Sequence, residues 1–364
     1  MNGPLSGVRV VEFLAMGPVP FAGMLLADMG AEVVTIVPPD GATHKMPIPT
    51  EEDPMMRGRS FLSLDLKAPV DLDRARALIN AADMVMEGYR PGVMERLGLG
   101  PDTCLAENPT LAYGRMTGWG QNGPLAQVPG HDPNYLSLIG ALDCIGYADR
   151  PPVPPLNLVG DFGGGGAFLV IGLLAAMTQA RSTGVGRVVD AAMIDGAGVL
   201  MTSIYSMLGR GMWSVGRGRN LLDGGVPFGR TYETADGKHV AVCSIEPPFY
   251  DALLRGLNLS QDDTPSRATR ENLPALEALF SEKFKEKTRD EWAHVFADIP
   301  ACVTPVLTIE EAPDHPHNVA RGAFIERAGV RVPQAAPRFS GAPTDAAPQD
   351  GPAIEEVLTR WGVA

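Results

Sequence analysis

Residues 8–37 read VRVVEFLAMGPVPFAGMLLADMGAEVVTIV, and this stretch decides the fold. Residues 8–13 form an apolar, Val-rich run of strand length, and Gly17-Pro18 punctuates it. Residues 21–29 carry apolar side chains at helical spacing. Gly30 stops that helix before a second strand over 32–37. Strand, helix and strand in immediate succession make a β-α-β unit, and repetition of that unit builds a parallel sheet.

The pattern continues outward. Residues 40–57 are polar and Pro-rich and read as a loop, 60–66 as a short strand, 71–82 as an amphipathic helix and 84–87 as a strand ending in the turn 88–92. A strand over 111–116 leads into a Gly-rich loop, and helices are expected over 133–144 and 164–180, with a strand over 187–190 between the second and an apolar helix over 191–207. After 208–230, rich in Gly, Arg and Leu, the grammar changes. Strands over 231–234 and 239–243 flank Asp236-Gly237, a hairpin signal, and helices over 249–257, 273–284 and 289–296 follow. The Pro-rich stretch 333–352 reads as surface wrapping, and 354–361 as a last helix. The expected fold is α/β: a Rossmann-like large domain with a parallel sheet (1–190, with 320–364 returning to it), a linker helix and loop (191–229) and a smaller α+β domain (230–315).

The 364-residue length suits two domains. A net charge of −13 argues against a nucleic-acid or anionic-membrane surface, both of which need a basic face. The uninterrupted apolar run 167–177 is too short to span a bilayer, and the N-terminus has no signal-peptide pattern, so a cytoplasmic enzyme is expected. Four dispersed cysteines (104, 144, 243, 302) form no metal spacing and read as reduced, mostly buried thiols. His44, His239, His294, His315 and His317 show no ligand pattern, so no metal is expected.

Two segments carry chemistry. In Gly130-His131-Asp132-Pro133-Asn134-Tyr135, Asp132 suits a helix cap and Pro133 the first helical position, so His131 stands just before a helix start. There the helix dipole favours a neutral, proton-accepting imidazole, and the Asp132 N–H can face a developing oxyanion. In Gly160-Asp161-Phe162 followed by Gly163 to Gly166, Asp161 opens an apolar helix, and the glycines allow close approach of either a ligand or a neighbouring helix. Taken singly, each also reads as ordinary helix-start chemistry. Glu246 lies between the hairpin and a helix, where it caps or pairs with a histidine. Arg57, Arg59, Lys67, Arg90 and Arg96 supply positive charge for a phosphate-rich nucleotide, with Arg90 the most pointed because its turn follows a strand end.

Together these segments resemble the α-methylacyl-CoA racemases of the family III CoA-transferase superfamily. The resemblance runs through PLSGVRVVE (4–12), DMGAEVV (28–34), LDLK (64–67), EGYRPG (87–92), RMTGWGQ (115–121), GHD (130–132), LNLVGD (156–161), IEP (245–247) and VTPV (303–306). It implies that His131 faces the α-proton of the (2S) epimer and Asp161 that of the (2R) epimer, with the Asp132 N–H on the enolate oxygen. It implies an interlocked homodimer in which Glu246 meets the histidine of the other subunit. It also implies that Arg57, Leu64, Asp65, Lys67, Gly88, Tyr89, Arg90, Arg96, Gly130, Asn134 and Tyr135 lie along the CoA part of a 2-methylacyl-CoA substrate, with no separate cofactor. Pro38, Gly58 and Ser60 depart from the basic or polar residues common in relatives, and Arg57 and Arg59 stand nearby to compensate; Pro133 departs too and removes a second oxyanion donor.

The nearest alternative is a CoA-transferase on the same fold, with Asp161 as an acyl-accepting nucleophile. His131 separates the two, since acyl transfer needs no second proton carrier. A non-catalytic acyl-CoA binder needs neither residue at a helix mouth, and a nicotinamide dehydrogenase needs the GxGxxG that is missing after the first strand.

Overall fold

The computed structural model describes residues 3–39, 50–327, 329–341 and 345–363. His44 and most of the expected loop 40–57 lie outside them. Along the chain come β1 (Arg9–Phe13), α1 (Pro18–Asp28), β2 (Glu32–Val37), β3 (Arg59–Ser63), α2 (Pro69–Ala81), β4 (Met84–Glu87), α3 (Val93–Arg96), α4 (Pro101–Glu107), β5 (Ala112–Thr117) and α5 (Asp132–Leu138). A π-helix, Leu158–Gly166, continues into α6 (Ala167–Thr183), followed by β6 (Arg187–Ala192), α7 (Met193–Leu200) and α8 (Thr202–Gly209). Then come β7 (Gly229–Glu233), β8 (His239–Cys243), α9 (Pro247–Gly256), α10 (Leu273–Phe284), α11 (Arg289–Val295) and β9 (Val303–Pro305). α12 (Pro316–Ala320), β10 (Phe324–Arg327), β11 (Val330–Pro333) and α13 (Ile354–Trp361) close the chain.

Two compact units result. The first comprises residues 1–139, 155–201 and 316–364, the second 140–154 and 202–315. The expected linker helix over 191–207 is thus two helices, α7 in the first unit and α8 in the second, broken at Met201.

In the first unit six strands pair in parallel in the order β3-β2-β1-β4-β5-β6. The order reverses between β1 and β4, and open α/β sheets bind ligands in the crevice beyond the carboxyl ends of strands at such a point. One face of the sheet is covered by α1 and α6, whose Val19, Leu26, Leu169 and Leu173 pack with Val10, Met84 and Met86. The other carries α2, α4 and α13, with Leu78, Ile79, Cys104 and Trp361 against Val11, Val34 and Val85. Gly114 lets α6 close on β5: a Cβ there would lie 2.7 Å from Leu169 and 3.1 Å from Leu173.

The π-helix and α6 form one helix of 26 residues whose most apolar 18-residue window has mean hydropathy 1.7, which by length and composition alone suffices to cross a membrane. The helix expected over 164–180 thus begins six residues earlier and ends three later than its apolar run announced. Its Leu169, Leu173 and Met177 instead belong to the sheet's core.

The second unit holds the expected hairpin, β7 and β8 in antiparallel register from Glu233↔His239 to Gly229↔Cys243. β9, too short to stand out in the sequence, adds a third antiparallel strand. Its core is aromatic: Tyr232 stacks on Phe284 at 5.0 Å, and Trp292 meets Phe284 edge-on at 5.3 Å. The thiols correct an expectation. Cys104 alone is buried, Cys144 is half-buried, and Cys243 and Cys302 are exposed.

Candidate active site

The π-helix begins where another helix supplies an acceptor. The side chain of Asp132, the first residue of α5, is buried, and its Oδ2 accepts the backbone N–H groups of Gly160 at 2.6 Å and Asp161 at 2.8 Å. These donors would otherwise be orphans of a helix start. Asp132 was expected to cap its own helix. The cap is His131, one residue earlier, whose N–H is held by Asn134 Oδ1 at 3.0 Å. Pro133, with no N–H to offer, therefore occupies the second helical position rather than the first.

Gly160 is required here: a Cβ would sit 2.6 Å from Asp132 Oδ2. The glycines that follow allow close helix packing. Gly164 lies against the backbone of Ala197, and Gly196 against the Gly164 carbonyl, so π-helix and α7 meet backbone to backbone. On the α1 side Phe21 stacks on Phe162 at 4.6 Å.

His131 and Asp161 are brought together. Burial, the largest effect, and the Asp132 carboxylate raise the proton affinity of Asp161 above the usual carboxylic range, while the charge of a protonated His131 lowers it. The side chain of Asn157, four residues upstream, hydrogen-bonds the Asp161 carboxyl and partly offsets that rise. Asn157 was missed as a functional residue, although its i, i+4 spacing to Asp161 was a usable signal. Gly17, at φ +69° before α1, borders the same carboxyl: a Cβ would lie 3.3 Å from Asp161 Oδ2. The Gly88 turn after β4 approaches Ala15 of the same β1–α1 connection and Val19 in the first turn of α1. Asp161 therefore stands at the carboxyl edge of the sheet, beside its switch point. His131 is exposed, and the Asp132 N–H has no acceptor among the described residues, as the first turn of a helix leaves it.

Several expected CoA contacts are otherwise engaged. Arg57 is buried and forks onto Asp28, at 2.8 Å (Nε to Oδ1) and 2.6 Å (Nη2 to Oδ2). Arg59 is buried on Glu12 at 3.2 Å. Neither guanidinium is available for phosphate. Leu64 is 1 % exposed and belongs to the core. Asn134 is exposed, and its Oδ1 is taken by the His131 N–H. Tyr135 is buried, its ring edge-on to Trp119 at 4.8 Å and its hydroxyl donating to the Gly130 carbonyl. Burial pushes that phenol up to about 12. Gly130 leaves room for both rings, since a Cβ would lie 2.9 Å from Trp119 and 3.0 Å from Tyr135. Gly58 and Ser60 are accounted for by the returning C-terminal segment: a Cβ on Gly58 would meet Ala347 at 2.8 Å, and Ser60 Oγ donates to Pro352 O at 2.6 Å.

The remaining expected contacts stay near the edge. Asp65 Oδ1 turns the chain by accepting Lys67 N at 3.0 Å. Glu87 Oε2 holds Tyr89 N at 2.7 Å, and its other oxygen pairs with Arg115 at 3.0 Å, which pins the turn 88–92. The Tyr89 ring leans edge-on to Phe13 at 6.3 Å. Lys67, Arg90 and Arg96 are exposed, and their side chains make no hydrogen bond or ion pair among the described residues. Glu246, in the second unit, is the exposed N-cap residue of α9 but its side chain does not cap; its charge raises the proton affinity of the Cys302 thiol, after burial and Cys243.

Comparison with known proteins matches this architecture to one family. Residues 5–356 match the model of CoA-transferase family III. The chain is 42 % identical over 363 residues to the α-methylacyl-CoA racemase of Mus musculus and 40 % to that of Homo sapiens, covering 98 % of this chain and 93 % of each relative. A CAIB/BAIF family protein from Brucella suis has the same fold, with a TM-score of 0.83 over the whole of both chains at 24 % identity. By sequence over nearly its full length, this chain belongs to CoA-transferase family III.

Proposed function

We propose that the protein is an α-methylacyl-CoA racemase, which interconverts (2R)- and (2S)-2-methylacyl-CoA through an enolate. The observation that carries this is the coupling of two proton carriers, His131 and Asp161, on two helix starts tied together by Asp132. The racemases of mouse and human, similar over nearly the whole chain, support it.

The α-proton of a thioester is weakly acidic, so its removal needs a base and a donor for the enolate oxygen. His131 takes the proton from one face while Asp161 delivers one to the other, and the roles reverse for the opposite epimer. A carboxyl raised by burial suits a group that must carry a proton in half of the cycle. The unpaired Asp132 N–H is the donor for the enolate oxygen. The thioester carbonyl is itself the electron sink, so no cofactor takes part. A transferase would use Asp161 as nucleophile and has no task for His131, which favours racemisation. NMR of each pure epimer of a 2-methylacyl-CoA in D2O tests this. The expected result is uptake of one α-deuteron with formation of the other epimer; transfer of CoA to a free acid without α-exchange would overturn it.

The CoA moiety is held by Lys67, Arg90 and Arg96, the cations of the set whose side chains have no hydrogen-bond or ion-pair partner among the described residues. Arg90→Ala should raise KM for the acyl-CoA by roughly tenfold, the loss of one charge-assisted bond. It should leave an acyl-pantetheine thioester nearly unaffected, and equal damage to both would assign Arg90 to the turn's structure.

The active form is a homodimer in which Glu246 meets His131 of the partner subunit. Leu138, Leu158, Val199 and Leu200 support this: all are exposed, on three helices (α5, the π-helix and α7) that pack together. Light scattering should give twice the chain mass, and a fully active monomer would refute the shared site.

A further inference from the structure

Resting on that reading, we infer that the carboxylate of Asp132, as distinct from its N–H, is a positioning group that sets where Asp161 stands relative to His131 and when it takes up its proton. Asp132 adjoins His131 in sequence, and its Oδ2 receives both Gly160 N and Asp161 N, at 2.6 and 2.8 Å. One buried carboxylate thus joins the backbone of one proton carrier to the backbone of the other. The geometry has no slack. The group is 2 % exposed, and a Cβ at Gly160 would lie 2.6 Å from the same oxygen. Its second oxygen, Oδ1, is buried with no hydrogen-bond partner among the described residues, so the negative charge is neither shared with a cation nor exposed to water.

That charge faces Asp161 directly. The charged groups acting on Asp161 are His131 and Asp132, both at the start of α5. Its other neighbours are uncharged: Gly17 from the loop before α1, Asn157 from its own helix, and Tyr135, whose hydroxyl is bound to Gly130. The Asp132 charge opposes ionisation of Asp161 and burial does the same, while His131 in its protonated form favours it. Removing the Asp132 charge therefore makes Asp161 more acidic, and the acidic limb of the pH–rate profile moves to lower pH. The limb belongs to the coupled His131–Asp161 pair. It moves identically for both epimers, because the equilibrium constant fixes the ratio of their kcat/KM values at every pH.

Two substitutions separate position from charge. Asp132→Asn keeps an acceptor for the two N–H groups and removes the charge; Asp132→Ala removes both. The Ala variant is expected to lose about 10²-fold in kcat with KM little changed, the scale of a misplaced reacting group. The Asn variant is expected to recover most of that loss while its acidic limb lies below that of wild type. kcat and KM are measured from pH 4.5 to 9 for both epimers, with α-deuterium exchange followed by NMR and folding checked by circular dichroism. If the Ala variant does not fold, the Asn profile alone decides. An active wild type with an Asn variant whose profile is unmoved, or with an Ala variant within threefold of its kcat, overturns this inference and leaves the racemase reading intact. A wild type that exchanges no α-proton overturns both.

Discussion

His131→Ala should abolish racemisation yet leave slow α-deuterium exchange of one epimer, the (2R), through Asp161 and without inversion. Asp161→Ala should do the reverse for the (2S) epimer. Each carrier faces one side of Cα, so a single variant keeps the chemistry of one face and loses delivery to the other. General acid–base catalysis contributes about 10²–10⁴-fold, and loss of racemisation of that order or greater is expected. Residual exchange in His131→Ala will also reflect a less acidic Asp161, because the charge of His131 favours its ionisation. The measurement is NMR of each pure epimer in D2O followed by chiral analysis of the product. Inversion at near wild-type rate by either variant would end the two-base account. A covalent acyl-enzyme in wild type, lost in Asp161→Ala, would point to acyl transfer.

The largest effect on stability should come from Arg59→Ala, a destabilisation of about 3–5 kcal/mol, the usual cost of leaving one member of a buried ion pair alone. Arg59 and Glu12 are both fully buried side chains, 3.2 Å apart, and Thr35 also donates to Glu12 at 3.0 Å. Without Arg59, the Glu12 carboxyl is left in the core without its cation, with one oxygen already lacking a hydrogen-bond partner among the described residues. The guanidinium also donates to the Pro20 and Arg57 carbonyls, so it ties β3 to α1. Replacing both members with apolar residues of similar volume, Arg59→Met with Glu12→Leu, should cost much less, since the charge is removed along with its partner. Urea unfolding followed by circular dichroism distinguishes the two. A double variant as unstable as the single one would assign the loss to packing.

Arg59 also shows where a one-dimensional reading stops. Arg57 and Arg59 resembled phosphate ligands because a loop arginine in an α/β protein has charge and reach. Their partners, Asp28 and Glu12, lie 29 and 47 positions away in sequence, and nothing local announces them. Leu64 and Tyr135 misled in the same way: they adjoin segments at the sheet's carboxyl edge, yet their side chains face the core. Helix boundaries failed where glycines did two jobs. The expected helix began at residue 164, whereas the observed one starts at Leu158 and runs on through Gly163 to Gly166, with α7 and α1 packed against Gly164, Gly165 and Gly166 so closely that a Cβ would clash.

What the sequence determined by itself was the alternation of strands and helices, the parallel sheet it enforces, the hairpin of the second unit, and His131 and Asp161 as residues at helix starts. These follow from local rules: apolar period, the conformations of glycine and proline, and capping. The tertiary structure alone decided that the two helix starts meet, that Asp132 joins them through Gly160 N and Asp161 N, and that Arg57 and Arg59 are tied to buried carboxylates. Those outcomes depend on burial and on contacts between distant segments, and a side chain's chemistry changes with the charge it finds there.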